Sequence, residues 1–301
     1  MTPDPLALGA TLYMPATRPD LRAHLFGGRI AGLRSAVVDL EDAVAAADVP
    51  LALARLAALL RAPFAPAPLV FARPRDPAML TLIAALPGAE QLSGYVLPKV
   101  TAETWPAWLA PELAPGQLLM PTLETRKTFV AVETLRLREQ LLAVRERVLA
   151  IRIGGNDLLS LLGARRPADR TAYDGPLGPL IARLAGEFVP WGFALSAPVM
   201  ERYDNPTLLA EEVRRDVDHG LLTKTAIHPA QVPVIQAALA PTAAELADAR
   251  AVLAVDAAAV FSSDGAMCEP ATHTRWAQRI VARAALFDVA RAPQPSGSPR
   301  P

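Results

Sequence analysis

The chain has 301 residues, 52% hydrophobic and 20% charged, with 30 basic and 30 acidic side chains. So apolar a composition supports a large core and excludes disorder for the bulk of the chain. The balanced charge excludes a general attraction to nucleic acid or to an anionic membrane surface. A single cysteine, Cys268, excludes an intrachain disulfide and a cysteine-based zinc site. No uncharged apolar run reaches the roughly 18 residues of a membrane span. The opening Met1-Thr2-Pro3-Asp4-Pro5 lacks the basic stretch that begins a secretory signal, so a soluble cytoplasmic protein is expected. Proline is abundant at 30 residues, which fits many short loops. Only three bases are lysine (Lys99, Lys127 and Lys224), so a compact ammonium is kept for few places.

In chain order, short apolar and β-branched runs alternate with longer Ala-, Leu- and Arg-rich segments. Strands are predicted at residues 11–15, 35–40, 69–73, 94–98, 118–122, 149–153, 192–197 and 223–227. Helices are predicted between them at 22–31, 50–61, 78–85, 102–109, 125–147, 179–189, 206–220 and 230–239. Eight such alternations signal βα units, and hence an α/β fold of the (β/α)8 TIM-barrel type over residues 1–240. The competing doubly wound sheet normally carries a Gly-rich loop after its first strand. Here that position reads Met14-Pro15-Ala16-Thr17-Arg18-Pro19, which is no phosphate cradle. Residues 241–290 form a C-terminal helical extension, with helices expected at 243–261 and 271–290 around a polar loop at 262–270. Residues 291–301, rich in Pro, Ser and Gly, are expected to be a disordered tail.

Barrel chemistry sits at the C-terminal ends of the strands, and there the ionisable residues gather. Asp39, Glu41 and Asp42 end the second strand, Arg73 and Arg75 the third, and Lys99 the fourth. Glu124 ends the fifth, Asp157 follows the sixth after Gly154-Gly155, and His228 closes the eighth. Glu124 and Asp157 would project from neighbouring strands about 5 Å apart. Two carboxylates that close repel unless a proton or cation lies between them. Mg2+ suits such a pair, because it takes one or two carboxylates, water and substrate oxygens. The plainer readings stay open: Glu124 as a helix N-terminal acid, and Asp157 as an Asx turn. Asp39 and Glu41 share strand parity, and either supports a metal site or caps the next helix. Arg73 and Arg75 also share parity and offer planar forks, to a substrate carboxylate or to Asp39, Glu41 and Asp42. Lys99 can serve as a substrate contact or as a Schiff-base lysine. His24, His219, His228 and His273 show no metal-binding spacing, and Ser196, Ser262 and Ser263 lack a hydrolase context.

Five motifs stand in order: Asp39-Leu40-Glu41-Asp42-Ala43-Val44, Leu97-Pro98-Lys99, Pro121-Thr122-Leu123-Glu124-Thr125, Gly154-Gly155-Asn156-Asp157-Leu158, and Lys224-Thr225-Ala226-Ile227-His228-Pro229-Ala230-Gln231-Val232. Together they resemble the HpcH/HpaI aldolase and citrate lyase beta subunit family over nearly the whole chain. The resemblance implies a Mg2+-dependent TIM barrel that cleaves or forms carbon–carbon bonds in 3-hydroxy acids or their acyl-CoA thioesters. It implies Glu124 and Asp157 as metal ligands and Arg73 as the carboxylate clamp. It also implies an acid in a C-terminal loop set over a neighbouring subunit's site, a place taken here by Glu269 in Gly265-Ala266-Met267-Cys268-Glu269.

The sequence departs from that pattern at Arg73-Pro74-Arg75, where the family usually follows the arginine with a small residue and Asn. It departs at Ala194-Leu195-Ser196-Ala197-Pro198, which lacks an Asp, at Thr171–Pro176, and in having Glu rather than Asp at 269. The expected site is therefore Glu124 and Asp157 for the metal; Glu269, Arg73, Asp39 and Glu41 for catalysis; and Arg73, Arg75, Lys99 and Gly155 for substrate. Expected partners are a 2-oxo or hydroxy acid, with or without CoA, and further copies of the chain as a trimer or hexamer. Two other readings are weighed: enolpyruvate phosphotransfer on the same barrel, and a non-catalytic metal- and acid-binding subunit of a larger complex.

Overall fold

The computed structural model describes residues 3–263 and 265–289, so the tail expected at 291–301 lies outside the described residues. Eight parallel strands close into a barrel: β1 (Ala10–Pro15), β2 (Ser35–Asp39), β3 (Leu69–Arg73), β4 (Gly94–Leu97), β5 (Leu118–Leu123), β6 (Ile151–Ile153), β7 (Leu195–Ala197) and β8 (Thr223–Ala226). Each neighbours the next in sequence, and β8 pairs back onto β1 through Ala10–Lys224, Thr11–Thr225 and Leu12–Ala226. Every predicted strand is present, within a few residues at its ends. Most strand residues are apolar and buried because helices cover the outer faces while the inner faces meet on the axis. Val37, Phe71, Val96, Met120 and Ala150 fill the inner core together with Leu8, Leu118 and Leu149.

The barrel's helices are α1 (Leu21–Phe26), α2 (Val49–Leu60), α3 (Pro77–Ala84), α4 (Trp105–Leu109), α5 (Ala131–Leu142), α6 (Gly155–Leu161), α7 (Leu177–Phe188), α8 (Pro206–Asp218) and α9 (Gln231–Leu239). Local chemistry sets their ends. Asp76 accepts from Met79 N–H and Asn205 from Leu208 N–H, each followed by a first-turn proline whose missing N–H costs nothing there. The long helix expected at 125–147 is instead a short 3-10 turn, Arg126–Phe129, then α5. Thr125 holds that turn by accepting from Lys127 N–H.

The chain divides into two compact units, one to residue 235 and one from residue 236. In the second, α10 (Ala243–Val252) and α11 (Pro270–Phe287) bury Leu246, Ala249, Val252, Ala277 and Ile280 against one another, together with Cys268. The helix expected at 243–261 stops at Val252. Beyond it, β9 (Phe261–Ser263) and β10 (Ala266–Cys268) form an antiparallel hairpin where a plain loop was expected. Gly265, at φ +76, supplies the left-handed backbone such a turn needs. Among the described residues, no helix is long and apolar enough to cross a membrane.

Candidate active site

Strand parity decides which side chains reach the barrel mouth. Pro15, Asp39 and Arg73 are in register across β1, β2 and β3, and Thr122, Arg152, Ser196 and Thr223 across β5 to β8. A cavity of about 360 Å³ opens there, with Tyr13, Asp39, Arg73, Glu124, Arg152 and Asp157 in its wall.

Glu124 follows β5 and is 4% exposed. Its Oε1 accepts the backbone N–H of Lys99 at 2.7 Å, so it caps no helix of its own. Lys99 aims that N–H from a left-handed conformation, φ +53, which a lysine adopts only under constraint. Gly154 leaves room for the carboxylate: a Cβ there would stand 2.3 Å from Glu124 Oε2. Burial and the neighbouring Asp157 charge push the Glu124 carboxyl up to about 7. Asp157 lies in the first turn of α6, and burial followed by repulsion from Asp42 raises it as well. The two acids that the sequence set on adjacent strand ends thus meet at one cavity.

The donor set fits a hard divalent cation: two carboxylates of raised proton affinity, open to water and substrate oxygens. Among the described residues no group of three or more His, Cys, Asp or Glu could hold a metal. The remaining ligands would therefore have to be water and substrate, which is how Mg2+ is usually held.

Around this pair lies an ion network. Asp39, 1% exposed, takes both Nε (2.6 Å) and Nη2 (2.7 Å) of Arg73. Arg73 Nη1 reaches Glu41 at 2.9 Å and Asp42 at 3.2 Å. Asp39 also accepts from the amides of Glu41 and Ala43, which fixes the loop after β2. Lys99 Nζ pairs with Glu41, so its ammonium is committed to a carboxylate. The Arg73 fork expected for a substrate is occupied by Asp39, which leaves one Nη2 proton for anything else.

Arg75 corrects the sequence reading more sharply. Its guanidinium donates to the carbonyl oxygens of Leu40, Glu41 and Val44 and is absent from the cavity wall. Shared parity with Arg73 ended with β3 at Arg73, and Pro74 turned the chain. Arg75 ties down the loop after β2 instead of facing the cavity. Gly155 begins α6 and lines the cavity, and a Cβ there would meet Pro198 at 2.8 Å. Glu269 belongs to the second unit, at the N-cap position of α11, where Thr272 donates to its Oε2 at 3.1 Å.

Two cavity residues escaped the sequence reading. Tyr13 lies between two guanidinium groups, Arg73 at 5.2 Å and Arg152 at 5.3 Å from its ring centre. Arg152 is 1% exposed, in the middle of an apolar strand. A charge inside Leu149-Ala150-Ile151-Arg152-Ile153 was the available signal, since an arginine is almost never fully buried without a reason.

A family model described as the C–C bond lyase of the TIM-barrel fold matches residues 2–289. A citrate lyase subunit beta-like protein of Deinococcus radiodurans is 30% identical over 281 residues, covering 88% of this chain and 92% of its own length. Among solved structures, CitE of Mycobacterium tuberculosis in complex with magnesium, acetoacetate and coenzyme A superposes with a TM-score of 0.70 at 24% identity, over 93% of this chain and 99% of that one. RipC of Yersinia pestis gives 0.61 at 25% identity, over 81% and 100%. The chain belongs to the TIM-barrel C–C bond lyase family, and within it is citrate lyase beta-like.

Proposed function

We propose that the protein is a Mg2+-dependent carbon–carbon lyase acting by aldol- or Claisen-type cleavage or condensation on a hydroxy acid or its acyl-CoA thioester. The observation that carries this reading is the Glu124–Asp157 pair: Glu124 is buried, its carboxyl is raised by burial and by the Asp157 charge, and both line the cavity at the mouth of a barrel of lyase type. Glu124 and Asp157 would hold the ion. Bound there, Mg2+ would supply positive charge to offset the negative charge that develops on a substrate oxygen as the bond breaks.

The chain's own residues position and exclude. Gly155 stands at the start of α6, whose first amides have no partner within the helix and can meet a substrate oxygen. Arg73 offers its single remaining proton, and Asp39 and Glu41 hold it in place rather than reacting. Lys99 keeps Glu124 oriented through its backbone.

An enolate-forming site exchanges the methyl protons of pyruvate for solvent deuterium. In proton NMR the wild-type chain is expected to wash out that signal with Mg2+ and to stop on chelation. A barrel subunit without chemistry would leave it unchanged in both.

Glu269 is proposed as the acid/base, acting on the site of a neighbouring copy in a trimer or hexamer. Mixing inactive Glu124→Gln protein with inactive Glu269→Gln protein is expected to restore part of the exchange, because some mixed assemblies join an intact pair to an intact Glu269. No recovery after demonstrated subunit exchange would remove this role.

A further inference from the structure

On three consecutive strands, at one level of the barrel interior, three buried polar side-chain atoms stand without a protein hydrogen-bond partner. They are Thr122 Oγ1 on β5, Arg152 Nε on β6 and Ser196 Oγ on β7. The register pairs Thr122 with Arg152, and Arg152 with Ser196, so all three share a face. They are 6%, 1% and 0% exposed. Thr122 and Arg152 line the cavity that Glu124 and Asp157 also line.

Arg152 is the unusual member. Its Nη2 donates to Thr225 Oγ1 at 2.6 Å, Nη1 approaches Met120 Sδ at 3.7 Å, and the Tyr13 ring lies beside it. It makes no ion pair among the described residues. Arg73, by contrast, is matched to three carboxylates. A buried charge without an ion-pair partner is costly and is rarely kept for stability alone. Burial pulls this guanidinium below its ordinary proton affinity.

We infer that Thr122, Arg152 and Ser196 form a recessed anion subsite that seats the end of the substrate remote from the carboxylate pair, so that the preferred acid carries a second, distal carboxylate. Two hydroxyls and one guanidinium N–H give three donors toward one anion. The charge on Arg152, which has no ion-pair partner among the described residues, then finds a direct one in the substrate. This inference rests on the lyase reading, since the near end of the acid must lie at Glu124 and Asp157.

The test compares acids that differ only at the distal end, by calorimetry with Mg2+ present. Oxaloacetate is set against 2-oxobutyrate, and 2-oxoglutarate against 2-oxopentanoate. Wild-type protein is expected to bind at least one diacid roughly ten- to a hundred-fold tighter than its methyl-ended partner, the range of a charged hydrogen bond. Arg152→Met is expected to lose that ratio while binding the methyl-ended acid and Mg2+ as before, and to melt no lower than wild type. Thr122→Val and Ser196→Ala are expected to lower the ratio less. A wild type with no diacid preference overturns the subsite without reference to any variant's folding. So does a preference that survives in Arg152→Met. Wild-type protein that binds neither Mg2+ nor any of the four acids overturns the lyase reading, and the subsite with it.

Discussion

Replacing Glu124 with Gln is expected to abolish Mg2+-dependent exchange and, without metal, to stabilise the fold at alkaline pH. The sign follows from the direction of the shift. Glu124 ionises near 7 in the folded chain and near its ordinary 4.5 when unfolded. Between those values the folded state binds more protons, so stability falls as pH rises from about 4.5 to 7, and the full penalty stands above 7. At 1.36 kcal/mol per pKa unit, the penalty is on the order of 2 to 4 kcal/mol. Gln keeps an acceptor for the Lys99 amide and carries no charge, so the variant should escape the penalty at pH near 8 and gain nothing near pH 4.5. Thermal melts of both proteins across that range check it. A variant that is less stable at alkaline pH would mean that Glu124 holds the fold together rather than waiting for a cation. Asp157→Asn should behave alike with a smaller effect, because Asp157 is the less buried of the two.

Arg73→Ala is expected to damage the fold before it damages binding. The guanidinium is the bidentate partner of Asp39, which is 1% exposed and bonded otherwise only to two amides. Removing one partner of a buried pair costs about 3 to 5 kcal/mol, because the other charge stays buried and alone. For a unit of this size that lowers the melting temperature by roughly 10 °C. Arg73→Ala with Asp39→Asn should recover much of the loss, since the orphaned charge goes with it. Arg73→Lys should recover less, because an ammonium cannot match the two-point contact. A melting temperature within a degree or two of wild type for Arg73→Ala would show that Asp39 is served by something else and would return Arg73 to the substrate.

The barrel was legible in the sequence because eight apolar runs, each ending in polar residues, can close only a few ways. The meeting of two acids was legible for the same reason: Glu124 after β5 and Asp157 just after β6 follow adjacent strands and line one cavity. Three things were hidden. Helix α6 was masked by Gly154-Gly155, read as a loop, although Leu158 to Leu162 continue in helical register. The β9–β10 hairpin was read only as a polar loop, because three-residue strands are too short to show a period-two pattern, although Asp264-Gly265 is a turn signal. The reach of Arg75 could not be read from parity, because parity holds only within a strand and Pro74 ends it. Arg152 was visible in the letters as a charge inside an apolar run, but it sits one residue inside its strand and not at the end where barrel chemistry gathers.

The central claim is that Glu124 and Asp157 together hold a divalent cation at the barrel mouth. Mg2+ titration by calorimetry, of wild type, Glu124→Gln and Asp157→Asn side by side at pH 8 and pH 6, tests it most directly. One Mg2+ per chain is expected in the wild type, bound more weakly at pH 6, where Glu124 must lose a proton on binding, and no measurable binding is expected in either variant. Equal Mg2+ affinity in all three proteins would contradict it.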